Sequence, residues 1–343
     1  MKKITYDNLL AAIRQTGETI NRCDPTGMAH ATRLLVSQSL YKSFDDLRAR
    51  YEAFDRMAFI QQLARANEFI QLHPEISEAT VASESRQNIE AITADLYSRC
   101  WTYYSDEQFL EMAGLFNRRF IANGIEIDIK GKRCIDLGCG SGRYVIAMAD
   151  LGADEAFGLD LSEKAIEDAN SRSQRLGYGD RCHFKQGSVL ELPFSDGEFD
   201  FVSCNGVLHH TTDPFGGLRE LARVTKKSGE AYIMVYGSGE LWWDLTDMIR
   251  SVLEPVPRAF AFTGLELLGV PPGKIFNFMD HMYVPCREVI SHQEFQDRLH
   301  QVGFKSWKIL NRGEMIDSAE RKVRFPEDAD LVGEADLRYI CSF

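Results

Sequence analysis

Downstream of residue 105 the chain alternates between two hydrophobic rhythms. Short, nearly continuous apolar runs cover 133–137, 156–160 and 182–186; another ends at Cys204-Asn205, and 230–236 carries alternate bulky residues. These have the length and content of buried strands. Between them lie segments of helical period, each with its own start signal. Ser105-x-x-Gln108 opens a helix over 105–122, Ser162 opens one through 175, and Asp213-Pro214 opens one carrying Leu218, Leu221, Ala222 and Val224. Such alternation predicts a parallel sheet covered on both faces, with ligands at the carboxyl ends of the strands. Upstream the pattern is helical throughout. Residues 6–22 form one helix, a long helix starts at the Ser43-x-x-Asp46 cap and ends near His73-Pro74, and a third covers about 76–97. No glycine loop or catalytic spacing occurs there, so residues 1–100 read as a helical cap or bundle.

The first strand breaks into Asp136-Leu137-Gly138-Cys139-Gly140-Ser141-Gly142, and an apolar helical segment, Tyr144 to Ala149, follows at once. Glycine is needed where φ is positive and where a ligand must approach bare backbone. This turn therefore reads as the floor of a ligand site. It is not a dinucleotide fingerprint, because Arg143 stands where G-x-G-x-x-G needs its third glycine. Nor is it a P-loop, which ends in Gly-Lys-Ser/Thr. A second acid, Asp160, ends the next strand 24 residues after Asp136, where a carboxylate can accept both ribose hydroxyls of a nucleoside.

Asp136 followed by G-x-G-x-G, with Asp160 at that spacing and Leu192-Pro193-Phe194-Ser195-Asp196-Gly197-Glu198-Phe199-Asp200-Phe201-Val202 before the fourth strand, resembles the Rossmann-like class I S-adenosylmethionine-dependent methyltransferases. The resemblance covers 105–238 closely and 286–343 loosely. It implies an α/β fold with a seven-stranded, mostly parallel sheet whose last strand is antiparallel. The final helix, strand and strand then fall at 291–302, 304–310 and 335–341. It implies S-adenosyl-L-methionine as cofactor and S-adenosyl-L-homocysteine as product. The residues it places at the cofactor are Asp136, Gly138, Cys139, Gly140, Gly142, Asp160, Leu161, Gly187, Ser188, Val189 and Asn205, with Asn205 near the methionine moiety. Ser188 departs from the family, which often carries an acid there for the adenine amino group. Tyr103, beside Trp101 and Tyr104, is expected either to cover the cofactor as part of a lid or to pack as a hinge between domains.

Composition narrows the acceptor. Net charge is −12 and 44% of residues are hydrophobic, which suits a globular enzyme and disfavours a broad grip on nucleic acid phosphates. The fourth strand ends Asn205-Gly206-Val207-Leu208, without the Asn/Asp-Pro-Pro-aromatic motif of DNA amino methylation, so no DNA partner is expected. The N-terminus lacks the apolar run of a signal peptide, and no stretch reaches the ~18 apolar residues of a membrane span. The 8 cysteines form no C-x-x-C pair, so no metal is expected and free thiols in the cytoplasm are the plain reading. Cys204 and Cys286 are candidates for holding a soft metalloid, against the commoner role of small hydrophobes.

Residues 239–285 form a helical insertion before the last helix–strand–strand unit, either an acceptor-pocket cap or a hairpin packed on the N-terminal bundle. Four parts follow: 1–100, a core over 101–238, the insertion 239–285, and the rest of the core over 286–343. Methyl transfer from a sulfonium is an in-line displacement in which positioning dominates. Where the acceptor must lose a proton, the candidate bases are His209, His210 and His281, with Tyr283 as a pocket residue; the vicinal pair also has a structural reading. The expected acceptor is a small molecule. An RNA or protein acceptor, or a non-catalytic cofactor-binding scaffold dimerising through its N-terminal helices, are the alternatives.

Overall fold

The computed structural model describes residues 6–21, 27–49, 54–71, 89–101, 105–239, 241–314 and 317–343. The chain divides into two compact units. One comprises Met1–Gln87, Gly239–Tyr283 and Arg324–Gly333; the other comprises Asn88–Ser238, Val284–Val323 and Glu334–Phe343. In chain order the elements begin with α1 (Tyr6–Asn21), α2 (Gly27–Ala49), α3 (Arg56–Gln71), α4 (Ile89–Trp101) and α5 (Asp106–Ala122). There follow β1 (Arg133–Leu137), α6 (Arg143–Asp150), β2 (Glu155–Asp160), α7 (Glu163–Arg175), β3 (Cys182–Gln186), β4 (Phe199–Asn205), α8 (Pro214–Val224) and β5 (Thr225–Tyr236). The chain continues with α9 (Leu241–Leu253), α10 (Arg258–Leu267), α11 (Pro272–Tyr283), α12 (His292–Gln301), β6 (Ser306–Ile309), α13 (Ser318–Arg324), α14 (Ala329–Val332) and β7 (Asp336–Ser342).

All seven strands lie in one sheet of order β3-β2-β1-β4-β5-β7-β6. β1 to β5 pair in parallel, and β7 runs antiparallel between β5 and β6. Strand alternation then sorts the side chains. Ile135 and Leu137 join one buried cluster with Leu218 and Leu221 of α8 and Phe295 and Leu299 of α12. Cys134 joins the opposite cluster with Phe116 and Phe120 of α5 and Val145 and Met148 of α6. The expected caps form. Ser105 and Gln108 make a capping box, Ser162 accepts from Ala165 N–H, and Asp213 accepts from Gly216 N–H with Pro214 in the first turn.

In the other unit α1 packs on α3 and α9, and α2 and α11 pack on α9. The long helix expected from Ser43 differs from what is found. Ser43 and Asp46 lie inside α2, and a separate helix begins at Arg56 with Asp55 accepting from Ala58 N–H at 2.8 Å. The buried stripe continues upstream through Leu34, Leu40 and Tyr41, so packing carries the helix past a local cap signal. The segment expected from 76 to 88 lies outside the described residues.

Candidate active site

The glycine turn connects the carboxyl end of β1 to α6. Gly138, Gly140 and Gly142 have φ of +72°, +52° and +86°. The Gly138 and Cys139 N–H groups donate to Leu159 O at 2.7 and 3.0 Å, which ties the turn to β2. A Cβ on Gly138 would lie 2.3 Å from Val207 Cγ2, and one on Gly142 would lie 2.7 Å from Phe184. The turn is thus closed from behind by the segment after β4 and by β3. Neither closure tolerates a side chain.

Two acids flank it. The Asp160 carboxylate accepts from Gly140 N–H at 2.8 Å and Ser162 N–H at 2.9 Å. Burial pushes its pKa up and these backbone donors pull it down. A carboxylate has about four acceptor positions, so capacity remains for an external hydroxyl. Asp136 is buried and lies in register between Gly158 of β2 and Ser203 of β4. Burial pushes its pKa up to about 7, with Asp160 adding to the rise and Ser203 and Arg143 opposing it. Asp136 therefore sits at the edge of ionisation near neutral pH.

The neighbouring strand ends complete the row. Gly187 N–H donates to Asp160 O at 2.9 Å, Leu161 O accepts from Gln186, and the Ser188 hydroxyl accepts from Leu190 N–H at 3.2 Å. Val189 is buried in the cluster that holds Leu159 and Leu218. On the other side of β1, Asn205 Oδ1 accepts from the Tyr232 hydroxyl at 3.2 Å. The order β3-β2-β1-β4 thus sets Ser188, Asp160, the glycine turn and Asn205 along one edge. Strand spacing makes the step from β2 to β4 about 10 Å.

A 3-10 turn, Leu208–His210, follows β4. His209 stacks on Tyr236 at 3.8 Å, and its carbonyl accepts from Glu288 N–H at 2.8 Å. His210 Nδ1 lies 2.9 Å from Cys286 O. A carbonyl can only accept, so Nδ1 carries the proton and Nε2 is the basic nitrogen of the neutral ring. His281 and Tyr283 belong to the other unit. His281 Nδ1 is 3.1 Å from the Tyr41 hydroxyl, with Trp242 edge-on at 5.1 Å. The Tyr283 hydroxyl donates to Val256 O at 3.3 Å, and burial pushes its pKa up. Tyr103 and Tyr104 lie outside the described residues. Cys204 is buried, with its thiol pKa raised by burial, and no group of three or more His, Cys, Asp or Glu among the described residues is arranged to hold a metal.

Residues 128–254 match a family model described as a methyltransferase domain. That stretch, from just before β1 to the start of the segment after α9, is thus a methyltransferase domain. The chain is 40% identical over 181 residues to an uncharacterised protein of Synechococcus sp., spanning 52% of this chain and 39% of that one. It is 37% identical over 99 residues to the 27-O-demethylrifamycin SV methyltransferase of Amycolatopsis mediterranei, spanning 29% and 36%. The chain thus spans less than half the length of these two curated relatives. The crystal structure of the YcgJ protein of Bacillus subtilis aligns with 67% of this chain and 96% of its own, at 20% identity and a TM-score of 0.42.

The donor set fits S-adenosylmethionine, the cofactor that the sequence resemblance implies. Asp160 retains acceptor capacity, the turn presents bare backbone, and Asn205 Nδ2 has no hydrogen-bond partner among the described residues. The sequence pattern missed Tyr232, Arg119 and Asp317, which tie this edge together from behind. A tyrosine in a strand and an arginine on an amphipathic helix carry no local mark of such a role.

Proposed function

We propose that this protein transfers the methyl group of S-adenosylmethionine to a small-molecule acceptor. The observation that carries the reading is the row of Asp160, the glycine turn and Asn205 across the carboxyl ends of β2, β1 and β4. The acidic balance of −12 and the relative named for 27-O-demethylrifamycin SV support a small acceptor. No helix among the described residues is long and apolar enough to cross a membrane. Cys134, Cys139, Cys182, Cys204, Cys286 and Cys341 are free thiols, which supports a cytoplasmic location. In this reading 101–238 and 286–343 are the catalytic core, and 1–100 and 239–285 are helical parts outside it.

The bound cofactor supplies an electrophilic methyl on a positively charged sulfur. The chain supplies position: Asp160 accepts the ribose hydroxyls, the glycine turn lies under the cofactor, and Asn205 holds its amino-acid end. His210, with its proton held at Nδ1 by Cys286 O, takes the acceptor's proton at Nε2. Calorimetry with S-adenosylmethionine tests the site. Wild type is expected to bind in the micromolar range. Asp160→Ala removes charge-assisted hydrogen bonds and is expected to weaken binding about 10- to 100-fold. Unchanged affinity would remove Asp160 from the site.

Affinity is also expected to depend on pH. Asp136 is largely protonated below about 7. The cationic cofactor favours the carboxylate, so binding releases a proton. Affinity should therefore rise with pH, by up to about tenfold per unit, and level off above 7. Titrations in buffers of different ionisation enthalpy would show the proton release; a flat profile from pH 5.5 to 8 rules it out.

A further inference from the structure

Beneath the β4 end lies a polar cluster of nearly fully buried side chains. Arg119 on α5 donates through Nε and Nη2 to both oxygens of Asp317, at 2.9 and 2.7 Å, and through Nη1 to the Tyr144 hydroxyl at 2.7 Å. Arg338 on β7 donates to Asp317 at 2.9 Å and Asp336 at 3.1 Å. Tyr232 on β5 packs within this group, its ring 5.0 Å from that of Phe120. Its register partner is Ser203, two residues before Asn205 on the same face of the sheet.

These neighbours dictate where the Tyr232 proton goes. Both guanidiniums are donors only. Asp317 Oδ1 already accepts from Arg119 and Arg338, and Oδ2 from Arg119 and Glu314 N–H. Burial and the nearby Tyr144 keep the phenol protonated. The Tyr232 hydroxyl donates to Asn205 Oδ1, which sets the amide with Oδ1 toward Tyr232 and its two N–H bonds turned away from it. An asparagine held so turns its two donors, rather than Oδ1, to the side away from Tyr232. The group on the cofactor that matches donors at the β4 side, about 10 Å from the ribose acid, is the carboxylate of the amino-acid end.

We propose that Tyr232 is a positioning residue for the amino-acid end of the cofactor, acting by locking the Asn205 amide so that it donates to the carboxylate. This rests on the cofactor site proposed above. The ion cluster that holds Arg119 and Arg338 makes the lock rigid, and the Tyr144 bond couples it to the first turn of α6 beside the glycine turn.

The test compares two nucleosides that differ only at that end. S-Adenosylhomocysteine carries the amino acid; 5′-methylthioadenosine carries the same adenosine and sulfur without it. Tyr232→Phe is expected to weaken S-adenosylhomocysteine about three- to tenfold, the value of one lost orienting hydrogen bond. Affinity for 5′-methylthioadenosine should not change. In an Asn205→Ala background, Tyr232→Phe should add no further loss. Equal changes for both nucleosides, or none for either, overturn the inference, because a merely structural residue would not distinguish them. Should Tyr232→Phe unfold the protein, Asn205→Asp gives the reading. It keeps the Tyr232 bond but sets an anion against the carboxylate, so S-adenosylhomocysteine alone should weaken; unchanged affinity overturns the idea. A wild type that binds neither nucleoside would instead refute the cofactor site itself.

Discussion

Gly138→Ala is expected to abolish measurable cofactor binding and to destabilise the protein by about 2–5 kcal/mol, the sum of two separate costs. Gly138 holds φ at +72°, where an L side chain is strained by about 1–2 kcal/mol. The added Cβ would also stand 2.3 Å from Val207 Cγ2 and 2.8 Å from Cγ1. Those are the branches of a stiff β-branched side chain, so relief requires the segment after β4 to move. That segment begins at Asn205 and Gly206, so the same movement displaces the far end of the site. Denaturant unfolding and calorimetry with S-adenosylmethionine measure the two effects. Val207→Ala in the Gly138→Ala background should recover part of the stability but not the φ cost. Full binding by Gly138→Ala alone would show that the turn is not the floor of the site.

Arg119→Met carries the other large effect. It removes one guanidinium from between Asp317 and Tyr144, leaving Asp317 with Arg338 and the Glu314 N–H. Breaking a buried ion pair from one side typically costs about 3–5 kcal/mol, because a charge stays buried with less compensation. The retained Arg338 bond places the expectation near about 3 kcal/mol. The pH dependence has a definite sign. Although burial alone would raise it, the Asp317 pKa is held well below its ordinary value of 3.8 by Arg338 and Arg119. A depressed folded pKa contributes stability above the unfolded value and loses it as pH falls toward the folded one. The gap between wild type and Arg119→Met should therefore be full above about pH 4 and narrow below it. Equal stability at pH 7 by urea titration would show that the cluster contributes nothing net.

How much of this was legible beforehand depends on the reach of each interaction. Ser105, Ser162, Asp213 and Ser291 each cap a helix by accepting from a backbone N–H three residues on. The capping signals at Ser105, Ser162 and Asp213 were readable directly. The same type of signal misled at Ser43, where a buried stripe from Leu34 to Phe44 outweighed it. His209, His210 and His281 looked alike as titratable residues. Only folding separates them, placing the first two at the end of β4 and seating the third against Tyr41, 240 residues away in sequence.

The amino-acid sequence alone determined the strand–helix alternation, the glycine turn and the two strand-end acids, because each depends on residues within a few positions of one another. The tertiary structure alone decided which side chains stand behind that edge. Tyr232 meets Asn205 across 27 residues and Arg119 meets Asp317 across 198. Such pairs are made by burial and sheet register, and neither partner carries a local pattern that names the other.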